Sequence, residues 1–512
     1  MYGGYTRLYD CKGVGMVLAG LDLAVLCLYF AVILVVGLWS GRRERGTYDY
    51  FLGGKRQHWL VVGMSIVATE VSALTFISVP ADAFKGDWNY LQMYAGSFVG
   101  RMLIVFLLLP AFYRTAVTTV YEHLGKRFGL WTRMTASVMF FASRVIGSGI
   151  RLLAASLALA VVFDWPLTWI IIAAAGIAVA YTTFGGIKAI IWTDALQAIV
   201  FLAGGVTVVV FLFAEIPGVW SQNLSAAYNA GKLQTFTWDW SPSNDRAFWV
   251  LFIHATLMNM AALGTDQDLT QRMLTCPDAR RGQRSLVFNA FAGLPIVCLF
   301  LLIGALLYLF SQGQAQEDAP VELFQKSDIV LPYFIAHALP AGYGLRGLLV
   351  AGVFAAAMSS LDSALGAMSA AAVTDFYRPL ASSGSLHFTP KSETHYLRVA
   401  RVFSLLFGVL LAAVALAFAR HDDLLWEVFR WVSLVFGGML GMFILAVSTK
   451  SRGDDRVNAA VMISSVVLLV GIKLTQEYYD VVYIAWPWWV VVGTVWTFAI
   501  AICFPTRRTN RP

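Results

Sequence analysis

Long apolar runs separated by short polar segments dominate the chain. A bilayer core about 30 Å thick is crossed by a helix of about 20 predominantly apolar residues. The runs lack the alternation of membrane β-strands, and lipid requires internally satisfied backbone groups, so the pattern predicts α-helices. Thirteen such runs occur, at 20–40, 58–79, 93–119, 134–163, 166–184, 192–214, 246–270, 286–310, 346–372, 399–419, 424–447, 457–474 and 484–504.

Positive charge is unevenly divided between two sets of connecting loops. Most of the 37 lysines and arginines lie in loops that share one side if run 20–40 passes from outside to inside. Cytoplasmic loops carry the excess of Lys and Arg in membrane proteins. The sequence therefore predicts an external N-terminus, a cytoplasmic C-terminus, an odd number of spans and insertion in the cell (inner) membrane.

Composition supports an all-α polytopic membrane protein with a single transmembrane domain over residues 1–512. The chain is 59% hydrophobic and 13% charged, whereas soluble domains carry about 25% charged residues. The net charge of +7 comes from short basic runs between apolar segments, so we expect contact with membrane lipid and not with nucleic acid. The histidines form no HExxH motif, so we do not expect an enzyme, and because the chain has no P-loop we do not expect ATP-driven pumping.

Five ionisable residues lie deep inside the predicted spans: Glu70, Arg144, Asp194, Asp266 and Asp362. A charge at the centre of a membrane helix costs at least about 2.5–3.5 kcal/mol on insertion scales, so each needs a partner, an ion or a water-filled cavity. These residues either serve a function or pair with one another and only hold helices together. An Arg144–Glu70 pair is one example of the second interpretation.

The segment 356–363 reads Ala-Ala-Met-Ser-Ser-Leu-Asp-Ser. On a helix, Ala356, Ser359 and Ser360 share one face, while Asp362 and Ser363 lie on an adjoining face. Hydroxyl, carbonyl and carboxylate oxygens are the ligands that hard cations prefer. Small residues also allow helices to approach closely, but that interpretation does not account for the aspartate.

Two spans are interrupted by polar residues. One contains hydroxyl residues and Glu70 within 64–76, and the other ends in Gly264-Thr265-Asp266. Broken membrane helices expose carbonyl and N–H groups that bind ions and substrates near the midplane. The alternatives are an ordinary helix with one buried ion pair in the first case and a simple helix end in the second.

Four groups of motifs follow one another in a specific order. They are 119–129 (Thr-Val-Tyr-Glu-His-Leu-Gly-Lys-Arg-Phe-Gly); Phe184-Gly185-Gly186-Ile187-Lys188-Ala189 with Trp192-Thr193-Asp194 and Gln197; Asp266-Gln267 with Gln271-Arg272; and 358–363 with Thr374-Asp375-Phe376-Tyr377. In this order and spacing, the chain resembles the sodium/solute symporter family, which includes sodium–glucose, sodium–proline, sodium–sialate and sodium–multivitamin cotransporters. The resemblance implies an inverted repeat of five plus five helices, with 58–214 as the first repeat, 246–447 as the second, and 20–40 and 457–504 as additional helices.

The resemblance also implies a sodium site between the first helix of repeat one and the third helix of repeat two. The matching positions are Ala68 and Val71, through their carbonyls, and Ala356, Ser359 and Ser360.

Some family members hold a second cation deeper in the protein, and this site resembles Asp194 with Ser359 and Ser363 here. Asp362 departs from the serine found in some relatives. Its carboxylate could strengthen a second cation site made of Asp194, Asp362 and Ser363, or it could take up a proton.

The solute site is expected beside the first break. Ser72 and Thr75 resemble positions that hold a carboxylate in sialate-carrying relatives, whereas sugar carriers have glutamine in place of Thr75. Those sialate-carrying relatives also have an arginine on the third helix of the first repeat, for which Arg144 is the counterpart proposed here. A guanidinium suits bidentate carboxylate binding. The remaining expected contacts are Gln92, Tyr94 and Asp266.

The sequence thus predicts a sodium-coupled symporter that imports a small organic solute by alternating access, with Na⁺ as the coupling ion. The expected solute is a carboxylate or a sugar acid. The alternatives are a proton-coupled symporter, a solute-sensing membrane receptor on the same fold, and a passive channel.

Overall fold

The computed structural model describes residues 18–41, 46–182, 186–313, 327–382, 392–421, 423–481 and 484–506. Within these residues the chain is helical, with one isolated β-bridge between Arg452 and Pro505. Phe184 and Gly185 of the second motif lie outside the described residues. The prediction of an all-α fold is confirmed.

The helices follow one another along the chain. They are α1 (Leu21–Gly41), α2 (Thr47–Leu52), α3 (Trp59–Glu70), α4 (Leu74–Lys85), α5 (Asn89–Thr115), α6 (Val120–Arg127), α7 (Leu130–Phe163), α8 (Leu167–Thr182), α9 (Ile187–Glu215), α10 (Trp220–Asn229), α11 (Phe248–Gly264), α12 (Gln267–Leu274), α13 (Ala279–Gly313), α14 (Val330–His337), α15 (Leu345–Leu380), α16 (Glu393–Phe418), α17 (Leu424–Ser448), α18 (Asp455–Tyr479) and α19 (Trp488–Ala501).

Most of the predicted spans coincide with long apolar helices. In the described part of the chain, eight helices are long and apolar enough to cross a membrane, and two bent pairs bring the number to ten. Shorter apolar helices occupy the remaining runs, within α1, α8 and α19. A polytopic membrane fold is therefore confirmed, while the count of thirteen spans stays a prediction.

Two spans are broken where the sequence is polar. Helices α3 and α4 are bent by 58°, and α11 and α12 by 60°. In the first break Val71 leaves the helical region, with φ −80° and ψ 77°. In the second, Asp266 is extended and its side chain accepts a hydrogen bond from the Asp268 amide, so it caps the start of α12.

Helix α15 forms the centre of the bundle. In its most apolar stretch 89% of the residues are buried, compared with 28% for the peripheral α16. It packs against α3, α7, α9 and α12, and its many Ala, Ser and Gly residues permit this close approach. The polar face around Ser359 is therefore placed against both the first break and the second.

The division into two inverted repeats stays a prediction. The two expected repeats begin at residues 58 and 246, and each opens with a bent pair, α3–α4 in one case and α11–α12 in the other. That placement is what two repeats with a broken first helix require.

Candidate cation and solute site

The first candidate site lies where α3 ends beside the middle of α15. Helix α3 ends at Glu70, so Ala68 lies in its last turn, where carbonyl groups lack the amides of a following helical turn. Ser359 Oγ donates to the carbonyl oxygen of Ala68 over 3.1 Å. The structure thus brings together the two helices that the sequence expected to share an ion.

The other residues of this site lie around the same contact. The hydroxyls of Ser359 and Ser360 lie 3.3 and 3.2 Å from the carbonyl oxygen of Ala356. Ala68, Val71, Ala356, Ser359 and Ser360 are all buried. Every donor in the set is a neutral oxygen, which fits a small hard cation released from water.

Asp194, on α9, is held by groups from two other helices. Its Oδ2 accepts hydrogen bonds from Ser65 Oγ at 2.7 Å and from Arg272 Nη2 at 2.9 Å. Its Oδ1 has no hydrogen-bond partner among the described residues. A buried carboxylate with one unused oxygen can still accept a cation, although Arg272 already neutralises part of its charge.

Asp362 and Ser363 lie one turn beyond Ser359 on α15. Ser363 Oγ donates to the Ser359 carbonyl at 2.6 Å and lies 3.5 Å from Asp268 Oδ2, while its amide donates to Asp362 Oδ1 at 2.8 Å. Ser363 is thus linked to Asp194 indirectly, through Asp268 and Arg272.

Five buried side chains form a continuous series of ion pairs, which we call the charge ladder: Asp194, Arg272, Asp268, Arg144 and Asp266. Arg272 pairs with both Asp194 and Asp268. Arg144 pairs with Asp268 at 3.0 Å and with Asp266 at 2.6 Å. Four of the five side chains are fully buried and Arg144 is 6% exposed. Such charges are tolerated inside a protein only because each carboxylate faces a guanidinium.

A cavity of about 150 Å³ lies between the two breaks. One water needs roughly 10–15 Å³ on this measure, so the cavity can hold a small organic molecule. Thr75, Tyr94, Arg144 and Asp266, all predicted from the sequence, line it. Its remaining lining includes the polar residues Glu70, Tyr90, Ser97, Ser143, Arg151 and Asn259 and the apolar residues Met258, Val297, Phe429 and Phe436.

Arg151 is the lining residue whose role the sequence reasoning missed. No hydrogen bond or ion pair to its guanidinium is found among the described residues, and its Nε is buried. Arg144 and Arg151 stand seven residues apart on α7, so both face the same side of the helix. That spacing is the signal that could have identified Arg151.

Glu70 pairs with Arg101 on α5 and not with Arg144. Its second carboxylate oxygen accepts a hydrogen bond from Asn289 Nδ2 at 2.9 Å, and Arg101 Nε donates to Asn289 Oδ1 at 3.0 Å. The alternative of an Arg144–Glu70 pair is therefore wrong. The charge at the first break is balanced within this separate cluster.

Two predicted solute contacts lie outside the cavity lining. Ser72 is buried in the first break, where its carbonyl accepts the amides of Thr75 and Phe76. Gln92 Nε2 donates to Asn89 Oδ1 at 2.7 Å and to the Arg246 carbonyl at 2.6 Å. Their part in solute binding stays a prediction.

Comparison with known proteins decides the family. A model of the sodium:solute symporter family matches residues 50–472. The chain belongs to the sodium:solute symporter family. The resemblance seen in the motifs is confirmed, and this symporter is a sodium-coupled membrane transporter and not an enzyme.

Relatives of this symporter match it over most of their length. It is 28% identical to the sodium/sialic acid symporter SiaT of Proteus mirabilis, over 90% of this chain and 92% of that protein. It is 26% identical to the human sodium-coupled monocarboxylate transporter 2, over 83% of this chain and 68% of that protein.

Solved structures share the fold of this symporter. The substrate-bound outward-open state of a Na⁺-coupled sialic acid symporter superimposes with a TM-score of 0.81 at 26% identity, over 95% of this chain and 97% of that one. A nucleobase-cation-symport-1 family transporter, at 14% identity and a TM-score of 0.53, is similar in fold alone.

Proposed function

We propose that this symporter couples inward sodium flow to uptake of a small organic carboxylate through the cavity between its two breaks. The contact between Ser359 Oγ and the Ala68 carbonyl carries the proposal, because it places oxygen donors from two separate helices at one point. Cation and solute that favour the same conformation bind cooperatively. Each charge moved inward gains about 2.3 kcal/mol per 100 mV of membrane potential.

The residue roles follow the positions predicted from the sequence. Sodium is ligated by Ala68, Val71, Ala356, Ser359 and Ser360; a second cation by Asp194, Asp362 and Ser363; and the solute by Ser72, Thr75, Gln92, Tyr94, Arg144 and Asp266. Ser72 and Gln92 lie outside the cavity lining, so they would act only after a rearrangement.

Arg151 joins this set as the proposed carboxylate ligand. A guanidinium without a hydrogen bond or ion pair in the described structure, facing a cavity, is available to a bidentate carboxylate. Arg144 is already shared between Asp266 and Asp268. The two relatives described above carry names that specify carboxylates, namely sialic acid and monocarboxylates, which agrees with this chemistry.

The test is uptake by the purified protein in proteoliposomes. Radiolabelled sialic acid, lactate and glucose are presented with an inward Na⁺ gradient, with choline replacing Na⁺, and with the gradient collapsed by an ionophore. We expect a carboxylate to accumulate only with the Na⁺ gradient. Uptake of glucose alone would contradict a carboxylate solute, and equilibration without accumulation would indicate a channel.

The proton-coupled alternative is separated by the same vesicles. With choline on both sides, an inward pH gradient should leave uptake at background if sodium is the coupling ion. Binding of a carboxylate without any transport would instead indicate the receptor. Asp362 motivates this arm, because an added carboxylate beside a cation site could carry a proton.

We propose further that the protein lies in the cell (inner) membrane with its N-terminus outside and its C-terminus in the cytoplasm. The support is the excess of Lys and Arg in one set of loops. Contact with membrane lipid and absence of nucleic-acid binding follow from the same composition. A reporter that is active only in the cytoplasm should be active when it is fused after residue 506. An inactive reporter would contradict the proposed orientation and indicate the opposite one.

A further inference from the structure

The charge ladder joins two places that have separate roles in the proposed function. At one end, Asp194 accepts a hydrogen bond from Arg272 Nη2 at 2.9 Å and belongs to the proposed second cation site. At the other end, Arg144 and Asp266 line the solute cavity. Asp268 is the middle member, and its two carboxylate oxygens face different guanidiniums, Oδ1 facing Arg272 and Oδ2 facing Arg144.

The middle of the ladder also touches α15. Ser363 Oγ, beside the proposed cation ligands, lies 3.5 Å from Asp268 Oδ2. Ser65, on α3, accepts a hydrogen bond from Arg272 Nε at 2.8 Å and donates one to Asp194 at 2.7 Å. The ladder therefore contacts α3, α7, α9, α12 and α15. A displacement of one guanidinium changes the contacts of several of these helices.

We propose that Asp268 is a positioning residue that transmits cation occupancy at Asp194 to the solute cavity. This inference rests on the proposed cation site. A sodium ion bound to Asp194 competes with Arg272 for the same carboxylate and repels its guanidinium, in a buried region where screening by salt is weak. Arg272 then relies more on Asp268, and Asp268 holds Arg144 less firmly.

The response reaches the second break because Asp266 has two functions there. Its Oδ2 pairs with Arg144 at 2.6 Å, while its Oδ1 accepts the Asp268 amide at 2.9 Å and so caps α12. When Arg144 is released by Asp268, it binds Asp266 more closely. The end of the cavity and the start of α12 are tightened together, which pre-organises the site before the solute arrives.

The competing interpretation is that the ladder only holds helices together. The two are separated by a response to sodium at the second break, which a static support would not show. Hydrogen exchange of the wild-type protein in nanodiscs is compared in NaCl and in choline chloride, with no solute present. We expect sodium to slow exchange in residues 65–71 and 356–363, and also roughly fivefold or more in residues 264–268, the low end of allosteric coupling.

The decisive variant is Asp268→Asn, which removes the charge that links the two guanidiniums. Sodium should still slow exchange at 65–71 and 356–363 and should no longer do so at 264–268. If Asp268→Asn does not fold, Arg144→Lys replaces it, because an ammonium cannot reproduce the planar two-sided pairing of a guanidinium. The same loss of response at 264–268 is expected.

The matched control is Asp375→Asn. Asp375 is an equally buried carboxylate that accepts from Arg133 Nε at 2.8 Å and from Thr119 Oγ1 at 2.7 Å, outside the ladder. Its loss should leave both sodium responses in place.

Each outcome decides one of the two proposals. Wild-type protection at 356–363 without protection at 264–268 overturns the role of Asp268, as does an undiminished response in Asp268→Asn or, if that variant does not fold, in Arg144→Lys. No sodium protection at 65–71 or 356–363 instead overturns the cation site of the proposed function.

Discussion

The two broken helices of this symporter differ in how their polar groups are satisfied. At the α3–α4 break, Ala68 and Ser359 meet through a carbonyl and a hydroxyl, and the charge of Glu70, at the end of α3, is balanced by Arg101. At the α11–α12 break, Asp266 and Asp268 both carry charge and both depend on Arg144. The bends are similar, 58° and 60°.

This difference separates two ways of using a break inside a membrane. Neutral oxygens cost less to bury than charges and leave their electron pairs available to an ion. Paired charges are strongly held as long as every member is present, and removing one leaves an uncompensated charge. The first break is therefore suited to bind a bare cation, and the second to change partners when charge nearby changes.

The largest expected effect is the loss of stability in Arg144→Gln. Without its guanidinium, Asp266 loses its pairing partner and Asp268 keeps only Arg272, at a cost of about 3–5 kcal/mol for breaking a buried pair. A lower Tm in detergent would measure it. The control is Arg430→Gln, whose pair with Glu427 is 39% exposed on the arginine side and contributes about 0–1 kcal/mol. Equal losses in both variants would show that the second break does not depend on charge pairing.

A smaller effect, on binding and not on folding, is expected for Arg151→Gln. Because Arg151 has no ion pair within the described residues, its replacement leaves no buried charge unpaired. A lost charge-assisted contact to a carboxylate is worth about 1.5–3 kcal/mol, so KM for the carboxylate should rise roughly 10- to 100-fold. Uptake kinetics and Tm are measured together.

Arg151→Lys is the matched variant, since it keeps the charge but not the bidentate geometry. Its KM should lie between those of the wild type and Arg151→Gln. A reduced Tm with unchanged KM in Arg151→Gln would assign Arg151 to structure and return the carboxylate to Arg144.

The α3–α4 break, which we call the neutral break because neutral oxygens meet there, is tested by Ser359→Ala. We expect a loss of about tenfold in apparent Na⁺ affinity, or about 1.4 kcal/mol. The variant removes one oxygen donor and leaves no unpaired charge, so Tm without sodium should change little. Ser156→Ala is the control, because Ser156 is a buried hydroxyl on α7 with no hydrogen-bond partner in the described structure. An unchanged sodium dependence of uptake in Ser359→Ala would contradict the proposed first sodium site.

Local sequence signals indicated the positions of both breaks, although an unbroken helix and a simple helix end stayed open as alternatives, and they predicted the face of α15. Hydroxyl residues and Glu70 interrupt one apolar run, Gly264 and Asp266 end another, and the spacing of Ala356 and Ser359 defines one helical face. Each of these signals lies within a few turns of a single helix, where backbone geometry fixes which residues are neighbours.

The pairing of charges could not be predicted in the same way. Arg144 meets Asp266 and Asp268 across more than a hundred residues of sequence, and nothing local distinguishes them from Glu70 as partners. The choice depends on how α7 packs against α12. The sequence marks Arg272 only as part of a motif, although it pairs with two aspartates of the charge ladder.

The smallest expected effect concerns α4, the second half of the neutral break. A lysine in a loop contacts the end of α4, whereas α12 is stabilised inside the bundle by the ion pairs of Arg272. Lys232, in the segment between α10 and α11, donates from Nζ to the carbonyls of Phe84, Lys85 and Gly86 at 2.8, 3.1 and 3.1 Å. A cation at a helix C-terminus is stabilising, although burial lowers the pKa of Lys232.

Lys232→Met keeps the apolar stem and removes the charge, so it should destabilise the protein by about 1 kcal/mol and speed hydrogen exchange at residues 82–86 without changing Na⁺ affinity. Lys85→Met is the control, because the Lys85 side chain is 55% exposed and its pair with Asp423 spans 3.7 Å. A loss of Na⁺ affinity in Lys232→Met would mean that the neutral break also depends on a charge, which acts from the far end of α4. The two breaks would then differ in how far the stabilising charge lies from the break, and not in whether they use one.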